Sequence, residues 1–343
     1  GLGGMVLALD GITVLLFFLM KTCRHPGLAL IGTLLLVGPV SVRQSESVRF
    51  GIVTDAHYAD RDAAGGRFYR ESRAKLTEFV SVMNQERPDF IVELGDFKDQ
   101  DVKPDPARTL QFARTAESIL GEFRGRRYHV LGNHDEDGLS KPEFLSAVVN
   151  SGIERDKSFY SFDAKGTHFV VLDANFRSDG KDFERGNFAW EDSNIPTHEL
   201  EWLRKDLAGT NTRAVVLMHQ QLDGEGAYYV KNAAEVRRIL EESGRVIGVF
   251  QGHRHEGGYS RINGIHYNTL KGLIEGSGAA NSAYALVEID GAGAIQIKGF
   301  RKVGSSTLDA NGERPTYLAE GYSLVWADEF DTPGRPDTTK WSY

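Results

Sequence analysis

Short apolar runs alternate with stretches of helical periodicity through the first half of the chain's body. Three apolar runs are typical of buried strands, and the stretches between them repeat apolar residues at the spacing of one helix face. In chain order, these predicted elements are a strand at 48–55, a helix around 76–83, a strand at 90–96, a helix at 106–123 and a strand at 128–131. This alternation favours a largely parallel sheet with right-handed crossovers.

The second half of the body is richer in predicted strands. A hairpin of 159–162 and 168–172 is expected around Lys165-Gly166, followed by helices at 196–207 and 231–243 and strands at 214–218 and 246–250. Four further runs are separated by glycine turns and are predicted to be successive antiparallel strands, at 259–261, 265–269, 284–289 and 294–300. The sequence therefore predicts one α/β domain over residues 44–301.

The first 43 residues have a different pattern, which we interpret as a leader. Met5–Met20 is almost wholly apolar, and the basic residues Lys21 and Arg24 precede a second apolar run, Leu28–Val37. A basic start followed by about ten apolar residues is typical of a signal peptide, and a spanning helix needs about 20. We therefore expect an exported protein, periplasmic or extracellular, with no stable membrane span apart from the leader; an uncleaved leader would anchor it to the membrane.

Composition and charge narrow the class of protein. The 48 acidic and 40 basic side chains give a net charge of −8, so a nucleic-acid partner is not expected. A hydrophobic fraction of 41% excludes wholesale disorder. The single cysteine, Cys23, excludes an intramolecular disulfide framework and a four-cysteine zinc site. A metal site would have to use histidine, aspartate, glutamate or asparagine.

Residues of these types follow five of the predicted strands. They are Asp55 and His57, Asp96, Asn133 and His134, His219, and His253 and His255. Ligand sites in open α/β sheets lie outside the carboxyl ends of the strands, so the topology would bring these side chains into one crevice. Oxygen ligands combined with imidazole suit manganese, iron or zinc better than a soft metal.

The residues of these motifs and their order resemble those of a known family. The blocks are Asp55-Ala-His57, Gly95-Asp96-Phe-Lys-Asp99, Gly132-Asn133-His134-Asp135, His219 and Gly252-His253-Arg-His255. All five occur in the order found in the calcineurin-like metallophosphoesterases. The resemblance implies that family's four-layer αββα sandwich and a hydrolase that acts on phosphoric ester bonds.

The resemblance also implies how the side chains divide between two divalent metal ions, either manganese, iron or zinc. One ion would be held by Asp55, His57, Asp96 and His255, and the other by Asp96, Asn133, His219 and His253. Two divalent ions carry more positive charge than two carboxylates neutralise, so the site would have a net positive charge that attracts phosphate. A hydroxide bridging the ions would attack the phosphorus.

Two catalytic residues are implied besides the metal ligands. His134 would face the substrate and protonate or steady the leaving oxygen, and Asp135 would orient the imidazole. Asp99 would give similar support. A metal-binding module without catalysis is the alternative, and the presence of His134 counts against it.

The substrate is expected to be a small phosphate ester or a nucleotide. The sequences of the first two motifs are most similar to those of exported bacterial phosphatases related to the ADP-ribose/CDP-alcohol diphosphatases. Hydrolysis of phosphate mono- or diesters and cleavage of nucleotide diphosphates are therefore both open as activities. Basic and aromatic side chains after the first motif offer contacts to a second phosphate or a base, although a solvated helix face would explain them as well. They are Tyr58, Arg61, Arg67, Tyr69, Arg70, Arg73 and Lys75.

The end of the chain has a different character. Residues 302–321 are predicted to be a linker, because glycine, serine, asparagine and proline are frequent there. In 322–343, Trp326-Ala-Asp-Glu-Phe330 and Lys340-Trp-Ser-Tyr343 resemble the start of the laminarinase-like family-16 glycoside hydrolases. The phosphatase would then be one module of a polysaccharide-degrading fusion protein. An amphipathic tail that packs on the preceding domain is the other interpretation.

Overall fold

The computed structural model describes residues 3–9, 12–18 and 47–309 except Phe188. Strands β1 (Gly3–Leu9) and β2 (Ile12–Phe18) pair antiparallel, with Gly3 opposite Phe18, and form a unit of their own. The apolar run 28–37 and the segment 322–343 lie outside the described residues, so the leader and the glycoside-hydrolase start stay predictions. Within the described ranges, no helix is long and apolar enough to cross a membrane.

Within residues 47–309, the described part of the second unit, twelve further strands and five α-helices follow. The strands are β3 (Val48–Val53), β4 (Phe90–Glu93), β5 (Arg126–His129), β6 (Tyr160–Ala164), β7 (Thr167–Val171), β8 (Arg213–Leu217), β9 (Val246–Gln251), β10 (Gly258–Ile262), β11 (Ile265–Thr269), β12 (Ala283–Ile289), β13 (Ile295–Arg301) and β14 (Ser306–Leu308). The helices are α1 (Ser72–Glu86), α2 (Pro106–Leu120), α3 (Lys141–Leu145), α4 (Thr197–Gly209) and α5 (Ala233–Ser243).

The strands form two mixed sheets of six strands each. The first sheet has the order β14-β13-β12-β3-β4-β5, with β3, β4 and β5 parallel to one another. The second has the order β10-β11-β9-β8-β7-β6, with β7, β8, β9 and β11 parallel. The carboxyl ends of the parallel strands are therefore grouped within each sheet.

Local chemistry explains where several elements begin and end. Asp105 precedes α2, and its carboxylate accepts hydrogen bonds from the first free amides, while Pro106 occupies the first helical turn. Helix α5 ends at Gly244 in the left-handed conformation. Lys165 and Gly166 both have positive φ and join β6 to β7, as a two-residue hairpin turn requires.

The apolar residues divide into three clusters that define four layers. Between the sheets, Phe50 stacks on Phe90 with ring centroids 5.2 Å apart, and both rings contact Phe169 from the second sheet. A second cluster packs α1 and α2 against the first sheet, and a third packs α4 and α5 against the second. The order helix, sheet, sheet, helix confirms the predicted α/β sandwich.

The structure differs from the sequence prediction at the end of the domain. The four late strands are not one antiparallel series, because β11 pairs parallel with β9 while β12 and β13 belong to the first sheet. Strand β14 lies inside the predicted linker and pairs with β13, and Leu308 is buried there. The packed structure thus continues past residue 301 to at least Asp309.

Candidate metal centre

The two sheets contribute their strand ends to one site. Asp55 and His57 follow β3, Asp96 follows β4 and Asn133 follows β5 in the first sheet. His219 follows β8 and His253 follows β9 in the second. Backbone hydrogen bonds fix these loops to one another, including Asp55 N to Gly95 O at 3.0 Å and Gly252 N to His219 O at 3.0 Å. The crevice predicted from the topology therefore exists.

One group of potential ligand side chains lies around the contact between the Asp55 carboxylate and the His255 imidazole. Nε2 of His255 lies 3.2 Å from Oδ1 of Asp55, and Nε2 of His57 lies 3.7 Å from the same oxygen. The two imidazole Nε2 atoms are 3.2 Å apart. Oδ2 of Asp96 lies 3.5 Å from His57 Nε2. These four residues match the first predicted set of ligands.

A second group lies on the other side of Asp96. Nε2 of His219 lies 3.1 Å from Oδ2 of Asp96, and a nitrogen of His253 completes a set of potential ligand atoms within 4.8 Å of one another. Asp96 contacts both groups, which is the bridging position that the resemblance implies. Asn133 is buried with its side-chain oxygen unpaired.

Unpaired buried atoms show that this site suits metal ions. Asn133 Oδ1 and His253 Nε2 are fully enclosed and have no hydrogen-bond partner among the described residues, and the enclosed Asp55 Oδ1 and His219 Nε2 contact only other members of these two groups, at 3.2 and 3.1 Å. A buried polar atom without a partner costs about 1–3 kcal/mol, and such exceptions call for an explanation. Enclosed oxygens of carboxylate and amide groups, together with ring nitrogens of histidine, are the donor set of a divalent first-row metal.

The imidazoles are held so that Nε2 faces this space. Nδ1 of His219 bonds the backbone oxygen of Leu94 at 2.8 Å, and Nδ1 of His255 bonds Oε1 of Glu275 at 2.6 Å. A hydrogen bond at one ring nitrogen fixes the proton there and leaves the other nitrogen as a ligand. Glu275 was not found by sequence reasoning, since a loop glutamate 20 residues away carries no local signal.

The loops carry unusual backbone angles at the ligand positions. Asp55, His57, Asp96 and His253 have φ of 54°, 44°, 55° and 69°, a region that residues other than glycine seldom occupy. The neighbouring Gly132 has no room for a side chain, because an added Cβ would lie 2.1 Å from the backbone nitrogen of Asp96. The motif glycine therefore allows two strand ends to approach closely.

The two carboxylates make the site favourable for positive charge. Burial would lower the pKa of His219, but Asp96 and Asp55 raise it to about 10. Burial and the charge on His219 lower the pKa of His253 to about 3. Burial would raise the pKa of both carboxylates, yet the surrounding imidazoles hold each well below its usual value. The site thus stabilises cations, whether protons or metal ions.

His134 lies beside this centre and is about one quarter exposed. Its ring centroid is 4.8 Å from that of His57, and its Nδ1 bonds Oδ2 of Asp137 at 2.9 Å. Asp137 in turn pairs with the buried Lys98, Nζ to Oδ1 at 2.6 Å. Asp99 lies between the two rings, with Oδ2 3.4 Å from Nδ1 of His57 and 3.9 Å from Nδ1 of His134.

The predicted role of Asp135 as the residue that orients His134 is wrong. Its two oxygens accept hydrogen bonds from four backbone amides, those of Asp96, Phe97, Lys98 and Gly132, at 2.9–3.3 Å. Asp135 thus joins the second and third motif loops, while Asp137 contacts the imidazole. Sequence reasoning missed Asp137, although its spacing three residues after His134 offered a signal.

The segment after the first motif supplies fewer substrate contacts than its sequence offered. Tyr58 and Tyr69 are 6% and 5% exposed and belong to the core, so neither presents a free face to a base. Nζ of Lys75 bonds backbone oxygens of Leu273, Glu275 and Gly276. Arg70 pairs with Asp60 and Asp62. Arg67 lines the cleft next to the histidines.

Known proteins share this architecture. A dimetal phosphatase from Danio rerio matches with a TM-score of 0.66 and 23% identity, over 77% of this chain and 98% of that one, which concerns the fold. Curated relatives named manganese-dependent ADP-ribose/CDP-alcohol diphosphatase are 26% identical in Xenopus laevis and 24% identical in Arabidopsis thaliana. Each match covers 66% of this chain and 81% or 86% of the relative.

The family model described as calcineurin-like phosphoesterase matches residues 48–257. This range is more than half of the chain and runs from the start of β3 past His255, so it contains every strand end that contributes to the metal centre. By this match, the chain belongs to the calcineurin-like phosphoesterase family.

Proposed function

We propose that this protein hydrolyses phosphate esters at a centre of two divalent metal ions. The observation that carries the proposal is the group of enclosed donor atoms on Asp55, Asn133, His219 and His253, which have no hydrogen-bond partner outside the cluster of predicted ligands. Asp55, His57, Asp96 and His255 would hold one ion, and Asp96, Asn133, His219 and His253 the other. Manganese is the first candidate, because the curated relatives are named as manganese-dependent.

Bound ions would supply positive charge that polarises the phosphoryl oxygens and makes water a stronger nucleophile. The protein's own contribution is to fix the ligands in place. Loops that are hydrogen-bonded between strand ends hold the carboxylates, and Glu275 and the Leu94 carbonyl hold two imidazoles in one orientation. Because the ligand atoms are buried, the centre excludes most water and strengthens these interactions.

His134 would act on the leaving group. It is the most exposed imidazole of the cluster, and Asp137 accepts a hydrogen bond from its Nδ1, so Nε2 would donate the proton to the departing oxygen. Asp137 and Lys98 together act as positioning residues. This arrangement favours an enzyme over a metal-binding module without catalysis, because a passive site needs no exposed histidine of fixed orientation beside the ligands.

Nucleotide diphosphates are the second candidate substrates. The names of the curated relatives favour this class. For this chain, cleavage of ADP-ribose or a CDP-alcohol would use the same centre, with a phosphoanhydride in place of the ester. A panel containing p-nitrophenyl phosphate, its diester, ADP-ribose and a CDP-alcohol separates the two candidates by their kcat/KM values.

The test uses the full chain loaded with manganese. We expect hydrolysis of at least one compound of the panel, and we expect Asp96→Asn to abolish both hydrolysis and stable metal binding. Asp179→Asn is the matched control, because it removes the same charge from an exposed loop. A protein with full metal content and no activity on any phosphate ester or anhydride would refute the proposal.

A further inference from the structure

A cleft of about 600 Å³ opens beside the metal centre. His253 and His255 form part of its wall, so a molecule bound at the metal centre would extend into this space. The cleft is also lined by three basic side chains that no motif contains. They are Arg67, Lys271 and Lys302.

The backbone holds these three cations at the cleft from separate parts of the chain. Arg67 lies in the loop after β3, which pairs with the loop of Glu275, and Phe68 N bonds Ile274 O at 3.2 Å. Lys271 lies two residues after the end of β11, and Lys302 follows β13, with its Nζ 3.4 Å from the backbone oxygen of Glu275. The basic side chains are thus brought together by the fold and not by a charge run in the sequence.

The acidic residues of the cleft offset these cations only in part. The Glu275 carboxylate bonds His255 at 2.6 Å and also interacts electrostatically with Arg67 and Lys302. The Glu256 side chain is 77% exposed and lies 3.6 Å from Arg254. Lys271 has no ion pair or hydrogen bond within the described part of the chain, and the nearest carboxylate oxygen of Asp99 is 3.9 Å from Arg67. Positive charge at this position is therefore available to a ligand.

We propose that Arg67, Lys271 and Lys302 form an anion subsite that binds a second phosphate of the substrate while the scissile phosphate lies at the metal ions. The guanidinium can form two parallel hydrogen bonds to phosphate oxygens, and the lysines add point charges. The subsite selects compounds with two phosphate groups over simple monoesters. This inference rests on the proposed function, because it assumes that the scissile phosphate lies at the metal centre.

The test compares two ligands that differ in the second phosphate. AMP and the non-hydrolysable α,β-methylene-ADP are titrated calorimetrically into the manganese-loaded full chain and into the variants Lys271→Gln and Lys302→Gln. Lys205→Gln on the exposed face of α4 is the matched control. We expect each cleft variant to reduce the preference for α,β-methylene-ADP by about tenfold, the value of one hydrogen bond to a charged group, while binding of AMP is almost unchanged.

A parallel assay of p-nitrophenyl phosphate hydrolysis separates this subsite from the metal centre. Turnover of this single-phosphate compound that falls in the lysine variants as much as their affinity for α,β-methylene-ADP would overturn the proposal. A preference that is the same in wild type, Lys271→Gln and Lys302→Gln would also overturn it. Phosphonoacetate carries a carboxylate in place of the second phosphate. If the lysine variants lose as much affinity for phosphonoacetate as for α,β-methylene-ADP, the proposal is also overturned. If the wild type hydrolyses nothing, the proposed function fails, and the calorimetric comparison still decides the subsite.

Discussion

Glu275 offers the sharpest test of how this centre is held, because it contacts a ligand without being one. Its Oε1 lies 2.6 Å from Nδ1 of His255, and its side chain is 29% exposed. Replacement by glutamine keeps the shape and a neutral acceptor but removes the charge that holds the imidazole proton on Nδ1. Glu275→Ala removes the acceptor altogether.

Loss of such a carboxylate behind a ligating histidine costs 10–100-fold in metal affinity, or about 1.4–2.7 kcal/mol. Because the introduced glutamine would still accept a hydrogen bond and the site is partly solvated, we expect Glu275→Gln to lie near the tenfold end. Glu275→Ala should lie near the hundredfold end. The effect should fall on one ion only, since His255 belongs to the group around Asp55.

Equilibrium dialysis against buffered manganese, with metal analysis of the protein, measures both affinities. Activity at rising free manganese should recover in Glu275→Gln, since the ligands themselves remain. Glu256→Gln is the matched control, because it removes the same charge from the same cleft without touching an imidazole. If Glu275→Ala binds manganese as tightly as the wild type, or if Glu256→Gln loses as much, the reasoning about imidazole orientation is wrong.

Four further outcomes are expected. His134→Ala should lower kcat by about 10²–10⁴-fold with unchanged metal content, as measured by steady-state kinetics and metal analysis. Asp135→Ala should lower the free energy of unfolding in urea by about 3 kcal/mol or more, because four buried amides lose their acceptor. Phe90→Ala should cost about 3–5 kcal/mol in the same assay, against almost nothing for the exposed Val102→Ala. Hydrogen bonds to two carboxylates raise the pKa of His168. The stabilisation of the folded state by protonated His168 should therefore be complete below about pH 6.5 and disappear as the pH rises through the raised pKa. A difference in unfolding free energy between wild type and His168→Gln that grows with pH would contradict this.

The fold could be predicted where the signal was local. Helix α2 has its capping aspartate and apolar face in consecutive sequence, and the hairpin of β6 and β7 has its turn residues between the strands. Strand pairing was harder to predict. β11 looks like the second strand of a hairpin in sequence, yet it also pairs parallel with β9, because the sheet continues beyond the hairpin. β14 is too short to show a pattern.

The site shows the same division between local and tertiary signals. The structure brings the predicted aspartate and histidine ligands together at the strand ends, since topology determines where such ends meet, and Asn133 is buried at the end of β5. Supporting residues depend on side-chain direction, which the sequence does not give. Asp135 is next to His134 in sequence but points to backbone amides, while Asp137 turns back to the ring. Lys271 and Lys302 follow strands of different sheets, so only the packing of the two sheets places both at the same cleft.

The left-handed backbone at Asp55, His57, Asp96 and His253 also bears on how this protein could evolve or be engineered. Each such residue costs about 1–3 kcal/mol relative to a relaxed conformation, and glycine would remove most of that strain. A library selected for thermal resistance alone would therefore accumulate glycine at these four positions. Its members would gain thermal stability and lose the metal ligands and the activity. Any programme to stabilise this protein must hold those positions fixed and seek its gains in the helices and loops elsewhere.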